Sequence, residues 1–365
     1  MGFKCGIVGL PNVGKSTLFN ALTATAAAQA AKYPFSTVEA NIGEVAVPDP
    51  RLDVLAKLAR SAKLVPTRIA FVDIAGLVSG ASRGEGLGNQ FLAVIREVDA
   101  IAHVVRCFEN PDIPHVNDRI DPIADIDTIE TELMLADLDS LERRIDGLAK
   151  KVKGGDAEAK LSLDLINRAL GLLRDGKPAR FVEVRPDEEK AFRGLGLLTS
   201  KPVLYVCNVD EAAAATGNDF SRRVEQRAQQ EGARVVVIAA QIEAEIAVLP
   251  AAERAEYLNA IGLREAGLDR LIRAGYDLLR LLTYFTAGPK EAKAWTITRG
   301  TKAPQAAGVI HSDFERGFIR AETIAYDDYV ALGGEAGARD AGRLRLEGKE
   351  YVVADGDVMH FRFAT

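Results

Sequence analysis

The chain contains 365 residues, of which 48% are hydrophobic and 27% are charged, and this composition excludes intrinsically disordered and collagen-like proteins. At about 100 to 200 residues per domain, the length predicts two or three domains that each bury a core. The formal net charge of -6 argues against a general nucleic-acid coat, so we expect no DNA partner.

Neither the first residues nor the apolar runs indicate export or a membrane span. No apolar run approaches the ~20 residues that cross a bilayer, and the chain passes from Met1 directly into a strand-like segment. Cys5, Cys107 and Cys207 are widely spaced within or beside apolar runs, which predicts buried thiols rather than disulfides or a zinc site. We therefore expect a soluble, cytoplasmic protein with no membrane partner.

Short apolar runs alternate with helical stretches over about the first 110 residues, which is typical of a parallel sheet flanked by helices. Strands are predicted at Phe3 to Val8, Arg68 to Val72 and Ile101 to Val105. Val203 to Cys207 and Val235 to Ile238 have the same β-branched character. The sheet is therefore predicted to resume there, after an inserted segment.

Gly9 to Ser16 reads G-L-P-N-V-G-K-S and matches the phosphate-loop pattern G-x-x-x-x-G-K-S. It follows a predicted strand and precedes a helical pattern, the context in which such a loop directs its amides at phosphate oxygens. Lys15 is predicted to neutralise the β- and γ-phosphates, and the Ser16 hydroxyl to bind Mg2+. The predicted nucleotide-binding residues of this loop are Asn12, Val13, Gly14, Lys15, Ser16 and Thr17.

A second phosphate-sensing element is predicted at Asp73 to Gly76, where the chain leaves its second predicted strand. Asp73 is expected to hold Mg2+ through water, and the Gly76 amide to approach the γ-phosphate beside Lys15. Thr37 lies between the first helix and the next strand and is either a further Mg2+ ligand or a surface threonine. The glycine-rich residues 79–89 are either a segment ordered by nucleotide or a flexible loop.

The inserted segment has the period of an α-helix. Apolar residues recur every three or four positions in two runs, which Gly154 and Gly155 separate. The first run is Met134, Leu138, Leu141, Ile145, Leu148 and Val152, and the second is Leu163, Ile166, Leu170 and Leu173. This pattern predicts an antiparallel hairpin of two amphipathic helices.

Basic residues gather near the predicted reversal of this hairpin. They are Arg143, Arg144, Lys150, Lys151 and Lys153. The tip is either a contact for ribosomal RNA phosphates or an ordinary solvated hairpin end.

Asn208 to Glu211 reads N-V-D-E, at the position where guanine-reading GTPases carry N-K-x-D. In those proteins the aspartate accepts hydrogen bonds from two donors of guanine. Here Glu211 is one methylene longer and Val209 replaces the lysine. Losing a charge-assisted hydrogen bond costs roughly 1.5 to 3 kcal/mol, which is enough to reverse a base preference. Asn208 and Glu211 are still predicted at the base edge of the nucleotide.

After about Thr283 the sequence changes to short alternating segments split by glycine and turn residues, which predicts a small β-rich terminal domain. Strands are predicted at Ala294 to Thr298, Arg343 to Leu346 and Val358 to Phe363. The last strand places Met359, Phe361 and Phe363 on one face and His360 and Arg362 on the other. Phe314 and Phe318 are interpreted as core residues at helical spacing.

Taken together, these motifs resemble the YchF, or Obg-like ATPase, subfamily of translation-factor-related P-loop proteins. The resemblance covers essentially the whole chain. It includes the phosphate loop, Asp73 to Val78, Gly84 to Phe91, the N-x-x-E variant at Asn208 to Glu211, and Trp295 to Glu322. The last of these segments is similar to the family's terminal TGS domain, a β-grasp module.

The resemblance implies an α/β fold: a P-loop NTPase parallel sheet with helices on both faces, an inserted antiparallel coiled-coil hairpin and a C-terminal TGS domain. The expected nucleotide-binding domain comprises residues 1–128 and 201–282, the insert residues 129–200, and the TGS domain residues 283–365. The implied function is a ribosome-associated, Mg2+-dependent switch that hydrolyses ATP slowly and prefers ATP to GTP. Two alternatives stay open, namely an Obg-related GTPase and a nucleotide-gated ribosome- or RNA-binding module with incidental hydrolysis.

Leu77 stands where many GTPases place the glutamine that orients the attacking water, and its side chain has no group for that task. The predicted substitute is His115, in the loop from Asn110 to Asp118. It either swings inward to orient water or is an exposed loop histidine without a catalytic role. His103, by contrast, is interpreted as a structural histidine of an apolar strand.

Overall fold

The computed structural model describes residues 3–30, 41–74, 87–116 and 119–364. The described strands are β1 (Lys4–Val8), β2 (Ile42–Ala46), β3 (Lys63–Val65), β4 (Arg68–Asp73), β5 (Ala100–Arg106), β6 (Val203–Asn208), β7 (Arg234–Ile238), β8 (Leu281–Ala287), β9 (Glu291–Thr298), β10 (Phe318–Ile324), β11 (Arg345–Glu347) and β12 (Val358–Phe363). The described helices are α1 (Lys15–Ala30), α2 (Pro50–Leu58), α3 (Leu87–Glu97), α4 (Pro122–Lys153), α5 (Ala157–Arg174), α6 (Glu189–Gly194), α7 (Asp219–Glu231), α8 (Ala240–Val248), α9 (Ala251–Ala260), α10 (Gly267–Leu278), α11 (Ala303–Ile310), α12 (Ser312–Arg316), α13 (Tyr326–Ala331) and α14 (Glu335–Asp340).

The first sheet has the strand order β2-β4-β1-β5-β6-β7. Strands β4, β1, β5, β6 and β7 are mutually parallel, and every residue of β5 and β6 is buried. Burial on both faces explains why these strands are continuous apolar runs rather than alternating patterns. The chain runs from β1 to β4 on one side and later to β5 on the other, which creates a crevice at the carboxyl ends of these strands.

One detail of the sheet prediction is wrong, because β2 lies antiparallel to β4 at the edge and makes the sheet mixed. An edge strand pairs on one side only, so its direction is not constrained by two parallel neighbours. Strand β2 has no clear strand signal in the sequence, because its residues are less uniformly apolar than those of the central strands.

The predicted helical hairpin is confirmed, with its reversal at Gly154 and Gly155. Helix α4 begins at Pro122, with Asp121 as its N-cap, and Asp156 caps α5 by accepting a hydrogen bond from the Ala159 amide at 3.0 Å. The apolar faces of α4 and α5 form a core of their own. The lysines of the last α4 turn also interact favourably with the helix dipole.

The second sheet has the order β11-β10-β12-β8-β9-β3 and carries a separate core on each face. Helix α11 covers the face that contains Tyr284, whereas α2 and α13 cover the face that contains Phe285. Strand β3 pairs in parallel with β9, so α2 and β3 contribute to the second sheet although they precede β4 in the chain. The three strands predicted in this region correspond to β9, β11 and β12.

The phenylalanine prediction in this sheet is correct about packing but wrong about helical spacing. Phe314 lies in α12 and stacks on Phe363 with 3.8 Å between ring centroids, whereas Phe318 begins β10 and is buried. Gly317 ends the helix between them. Met359 and Phe361 are buried, as predicted for their shared face.

The three cysteines are buried free thiols, which confirms that interpretation. His103 is also confirmed as a buried residue of β5 and contacts the ring of Tyr205. Within the described ranges, no helix combines the length and the apolar character needed to cross a membrane.

Candidate nucleotide-binding site

The phosphate loop connects β1 to α1 at the carboxyl edge of the first sheet. Two of its residues adopt left-handed backbone conformations, Asn12 with φ 62° and Gly14 with φ 91°. A side chain is excluded at Gly14 for a second reason, because its Cβ would lie 2.1 Å from Asn208 Nδ2. Packing of the loop against the end of β6 therefore requires the second glycine of the motif.

Lys15 and Asp73 form an ion pair inside this loop. Lys15 begins α1 and Asp73 ends β4, and the parallel pairing of β1 with β4 brings the two motifs together. Their side chains are 10% and 19% exposed, so the attraction between them is screened less than at an open surface. Lys15 thus holds a positive charge, and Asp73 a carboxylate, at the base of the loop.

A cavity of about 1080 Å³ opens at this point. Ligand pockets typically span about 300 to 1,000 Å³, so the volume is sufficient for a nucleoside triphosphate. The cavity is lined by the phosphate loop, the loop after β5, the end of β6 and the start of α8. The lining residues are Leu10, Pro11, Asn12, Gly14, Lys15, Ser16, Thr17, Asp73, Phe108, Glu109, Asn110, Ile113, Asn208, Val209, Asp210, Glu211, Ala240 and Gln241.

Val13 is the predicted loop residue that does not line the cavity. Its side chain belongs to the apolar core and is 1% exposed. Its carbonyl accepts a hydrogen bond of 2.9 Å from Asn208 Nδ2. Only the backbone of Val13 is therefore available for the predicted nucleotide contact.

Asn208 joins two loops at the predicted base edge. Its Nδ2 donates to the Val13 carbonyl, and its Oδ1 accepts from the Ala240 amide at 2.9 Å. Asn208 is buried, so both contacts are protected from water. The prediction placed Asn208 beside the base, and the structure additionally gives it the role of fixing the phosphate loop to the start of α8.

The neighbouring carboxylates have different surroundings. Asp210 accepts a hydrogen bond from the Ala213 amide at 2.9 Å and caps the short turn Glu211–Ala213. Glu211 has an exposed side chain and lines the cavity, whereas Val209 is buried. Glu211 is therefore the carboxylate at this edge that is not already used to cap the turn.

Arg106 organises the loop that follows β5 and is a functional residue that is absent from the predicted site. Its guanidinium is buried and donates to the carbonyls of Phe108, Asn110, Ile113 and Pro114, at 3.0 to 3.4 Å. Burial lowers the pKa of Arg106, and the charge of a nearby carboxylate opposes that shift. The sequence does carry a signal for this role, because Arg106 is a charged residue at the end of a largely apolar strand.

His115 is predicted either to orient water or to be an exposed loop histidine without a catalytic role, and the predicted exposure is wrong. Its side chain is 4% exposed, and Nε2 lies 2.9 Å from Asp125 Oδ2 at the beginning of α4. His115 does not belong to the lining of the cavity in this arrangement. Its predicted catalytic role stays a prediction.

Several predicted residues lie outside the described ranges. They are Thr37, Gly76, Leu77 and most of the glycine-rich segment, of which residues 87–89 are described as the first turn of α3. The structure therefore brings together the phosphate loop, Asp73 and the base edge. The predictions for Thr37 and Gly76 stay predictions.

Family models match both ends of the chain. Residues 4–138 match a model described as 50S ribosome-binding GTPase. Residues 281–364 match the YchF-GTPase_C model, described as a protein of unknown function (DUF933). The chain is similar in fold to a solved structure titled as the Schizosaccharomyces pombe YchF GTPase, with a TM-score of 0.89 and 36% identity over 99% of this chain and 98% of that one.

Full-length relatives have a consistent name. A protein of Pasteurella multocida named ribosome-binding ATPase YchF is 59% identical over 363 residues, covering 100% of this chain and 99% of the relative. A protein of Bacillus subtilis with the same name is 54% identical over 365 residues and is covered completely. Because these similarities extend over the whole length of both chains, this chain belongs to the YchF family of P-loop proteins.

Proposed function

We propose that this chain is a ribosome-associated P-loop ATPase that acts as a nucleotide-dependent switch and hydrolyses ATP slowly to ADP and phosphate. The observation that carries the proposal is the convergence of Lys15 and Asp73 in a cavity large enough for a nucleoside triphosphate. The names of the full-length relatives support both the ATPase activity and the ribosome partner.

The phosphate chemistry follows from the loop. Amides at the start of α1 and the Lys15 ammonium stabilise the negative charge of the β- and γ-phosphates. The Ser16 hydroxyl, in the first turn of α1, and the Asp73 carboxylate supply the hard oxygen donors that Mg2+ prefers. Mg2+, when bound with the nucleotide, would neutralise charge that develops on the phosphate oxygens.

Among the described residues, no group of three or more His, Cys, Asp or Glu side chains is placed to hold a metal ion. This fits a cation bound mainly through nucleotide phosphates and water, with few protein ligands. Thr37 is proposed as a further ligand of this ion.

ATP is the proposed nucleotide, although the names of similar proteins include both ATPase and GTPase. Guanine recognition in GTPases uses an aspartate at a fixed reach and a lysine stem. At those positions this chain has the exposed, longer Glu211 and the buried apolar Val209. Asp210 is committed to capping its own turn. A GTPase of the same family is the second candidate, favoured by the name of the similar solved structure.

The proposed catalytic groups are Lys15, the Gly76 amide and His115. Lys15 and the Gly76 amide stabilise the charge on the transferred phosphoryl group, and His115 orients the attacking water in place of the aliphatic Leu77. Since His115 lies outside the cavity in the structure, slow intrinsic turnover is the expected consequence.

Replacing Lys15 with Ala tests the phosphate site. We expect single-turnover ATP hydrolysis to fall by at least about a hundredfold, because a preorganised charge at the phosphates is lost. Lys4→Ala, in β1 and outside the cavity lining, is the matched control and should leave the rate unchanged. Equal hydrolysis by wild type and Lys15→Ala would contradict the proposed site.

We also propose that the protein is cytoplasmic, where it would meet its ribosome partner. Co-sedimentation tests this partner. Ribosomes are pelleted with wild type and with Lys15→Ala, each in ATP, in ADP and without nucleotide. A nucleotide-dependent switch should give binding that differs among the three conditions for wild type and is uniform for Lys15→Ala. Full, nucleotide-independent association of both proteins would instead support a binding module with incidental hydrolysis.

A further inference from the structure

The contact between His115 and Asp125 keeps the proposed water-orienting group away from the nucleotide. His115 Nε2 lies 2.9 Å from Asp125 Oδ2, and both side chains are at most 4% exposed. Such a contact is strong because water does not compete for it. Neither residue lines the phosphate cavity.

The backbone leading to His115 is fixed by independent contacts. Arg106 holds the carbonyls of the loop after β5, including that of Pro114. Asn12 of the phosphate loop donates from Nδ2 to the same Pro114 carbonyl at 3.1 Å. A backbone tied to the nucleotide site up to Pro114 leaves the orientation of the His115 side chain as the variable, and the contact with Asp125 is one that holds it.

Asp125 belongs to α4, the first helix of the inserted hairpin. It lies in the first turn of this helix, whose last turn carries the basic tip. At 1.5 Å per residue, a helix of 32 residues is ~48 Å long, and it connects Asp125 to the basic tip without interruption. A partner that contacts the hairpin therefore acts on the element that carries Asp125.

We propose that Asp125 is a positioning residue that holds His115 out of the phosphate cavity, and that breaking this contact accelerates ATP hydrolysis. The inference rests on the proposed function, since it requires His115 to orient the attacking water. It assigns the slow basal rate to a specific contact between the inserted hairpin and the catalytic loop.

Asp125→Ala tests the inference in wild-type and His115→Ala backgrounds. Single-turnover ATP hydrolysis should rise about tenfold in Asp125→Ala, the lower end of what a charge-assisted hydrogen bond is worth. The Kd for ATP should stay the same, because the phosphate loop is untouched. The double variant should hydrolyse ATP at the rate of His115→Ala alone, because no histidine is left to be released.

Two further variants separate positioning from general loosening of the fold. Asp127→Ala removes a half-exposed carboxylate of the same helix that pairs with Arg227, and it should leave the rate unchanged. Asp125→Asn keeps the size of the side chain but removes its charge, and it should raise the rate less than Asp125→Ala. This isosteric variant provides the test if Asp125→Ala does not fold.

An unchanged or lower rate in folded Asp125 variants would overturn the inference. An equal increase in the His115→Ala background would also overturn it, because the effect would not act through the histidine. If folded Asp125→Ala binds ATP as wild type does but shows no gain in rate, this inference fails while the phosphate site stands. Absence of ATP binding by wild type would instead contradict the proposed function itself.

Discussion

Asn208 and Glu211 have different roles at the predicted base edge of the cavity. Asn208 uses both ends of its amide to connect the phosphate loop with α8, a structural task that does not depend on the base. Glu211 is exposed at the cavity, so under the proposed function we expect the choice between purines to depend mainly on its reach. A single methylene is therefore expected to affect base preference without disturbing the loop.

Glu211→Asp is expected to shift this preference toward GTP. Shortening the carboxylate restores the reach that guanine recognition uses, so the ratio of the Kd values for GTP and ATP should fall by about tenfold. Competition titrations with both nucleotides measure this ratio. Glu256→Asp, on an exposed position of α9, serves as the control. An unchanged ratio would remove Glu211 from base selection.

His103 connects a single buried residue to the pH dependence of stability. Burial lowers the pKa of His103 from 6.5 to about 3, and the positive charge of Arg180 contributes to the same shift. His103 is therefore protonated near pH 6.5 in the unfolded chain but only near pH 3 in the folded chain. Stability from the neutral histidine is complete above pH 6.5 and is lost as the pH falls through this window.

His103→Phe should remove this part of the pH dependence. The difference in unfolding free energy between wild type and variant is expected to change by about 1.4 kcal/mol per pH unit between pH 6 and 4. Urea unfolding across that range measures the difference, with wild type losing relative stability as the pH falls. Parallel curves for the two proteins would show that His103 is protonated in the folded state.

Asp137 connects two elements, the helix α4 and the segment that returns from the insert to β6. Its carboxylate accepts hydrogen bonds from the amides of Leu198 and Thr199, both at 2.8 Å, and from the Thr199 hydroxyl at 2.7 Å. Burial raises the pKa of Asp137, and these donors oppose the shift. The side chain is 1% exposed, so water cannot replace it.

Asp137→Ala should lower the free energy of unfolding by about 2 to 3 kcal/mol, because it leaves buried donors without an acceptor. Denaturant unfolding with a constant m-value measures this loss. Asp139→Ala, which removes a half-exposed carboxylate of the same helix, should cost less than about 0.5 kcal/mol. Similar losses of unfolding free energy in the two variants would show that the buried Asp137 carboxylate stabilises the fold no more than an exposed one.

The elements that sequence reasoning identified are those with a strong local signal. The buried strands β1, β5 and β6 are apolar over most of their length, and α4 and α5 keep a helical period. Strand β3 has three half-exposed or exposed residues and pairs with β9, which comes much later in the chain. No local pattern encodes that pairing.

The same contrast applies to the site. The phosphate loop and Asp73 were found because each motif is contiguous in sequence and follows a strand. The roles of Arg106 and Asp125 depend on how the irregular chain between β5 and α4 folds back on itself, which brings loop carbonyls to the first and a histidine side chain to the second. The burial of His115 could not be predicted for the same reason, since its partner lies on the inserted hairpin.

At the scale of the whole molecule, charge is unevenly distributed. The net charge is -6, yet the tip of the hairpin is basic. Arg143 pairs with Asp139, and Arg144 donates to the Leu195 carbonyl, so the two arginines are engaged locally. The lysines that remain exposed at the tip are Lys150, Lys151 and Lys153. They carry the predicted contact with ribosomal RNA phosphates.

Replacing these three lysines with Ala should weaken ribosome binding while leaving ATP affinity unchanged. If each lysine contacts one phosphate, the slope of log K against log salt should become smaller by about 2. Co-sedimentation at several salt concentrations gives the slope. Replacing Lys177, Lys190 and Lys349, which are exposed elsewhere, controls for total charge. Equal effects of both triple variants would identify the tip as a solvated helix end.

The central claim is that the cavity around Lys15, Asp73 and Glu211 binds Mg-ATP in preference to Mg-GTP. Isothermal titration calorimetry of the full chain with each nucleotide, in the same magnesium buffer, tests it most directly. We predict saturable binding of one ATP per chain, with a Kd lower than that for GTP. Tighter binding of GTP, or no binding of either nucleotide, would contradict the account.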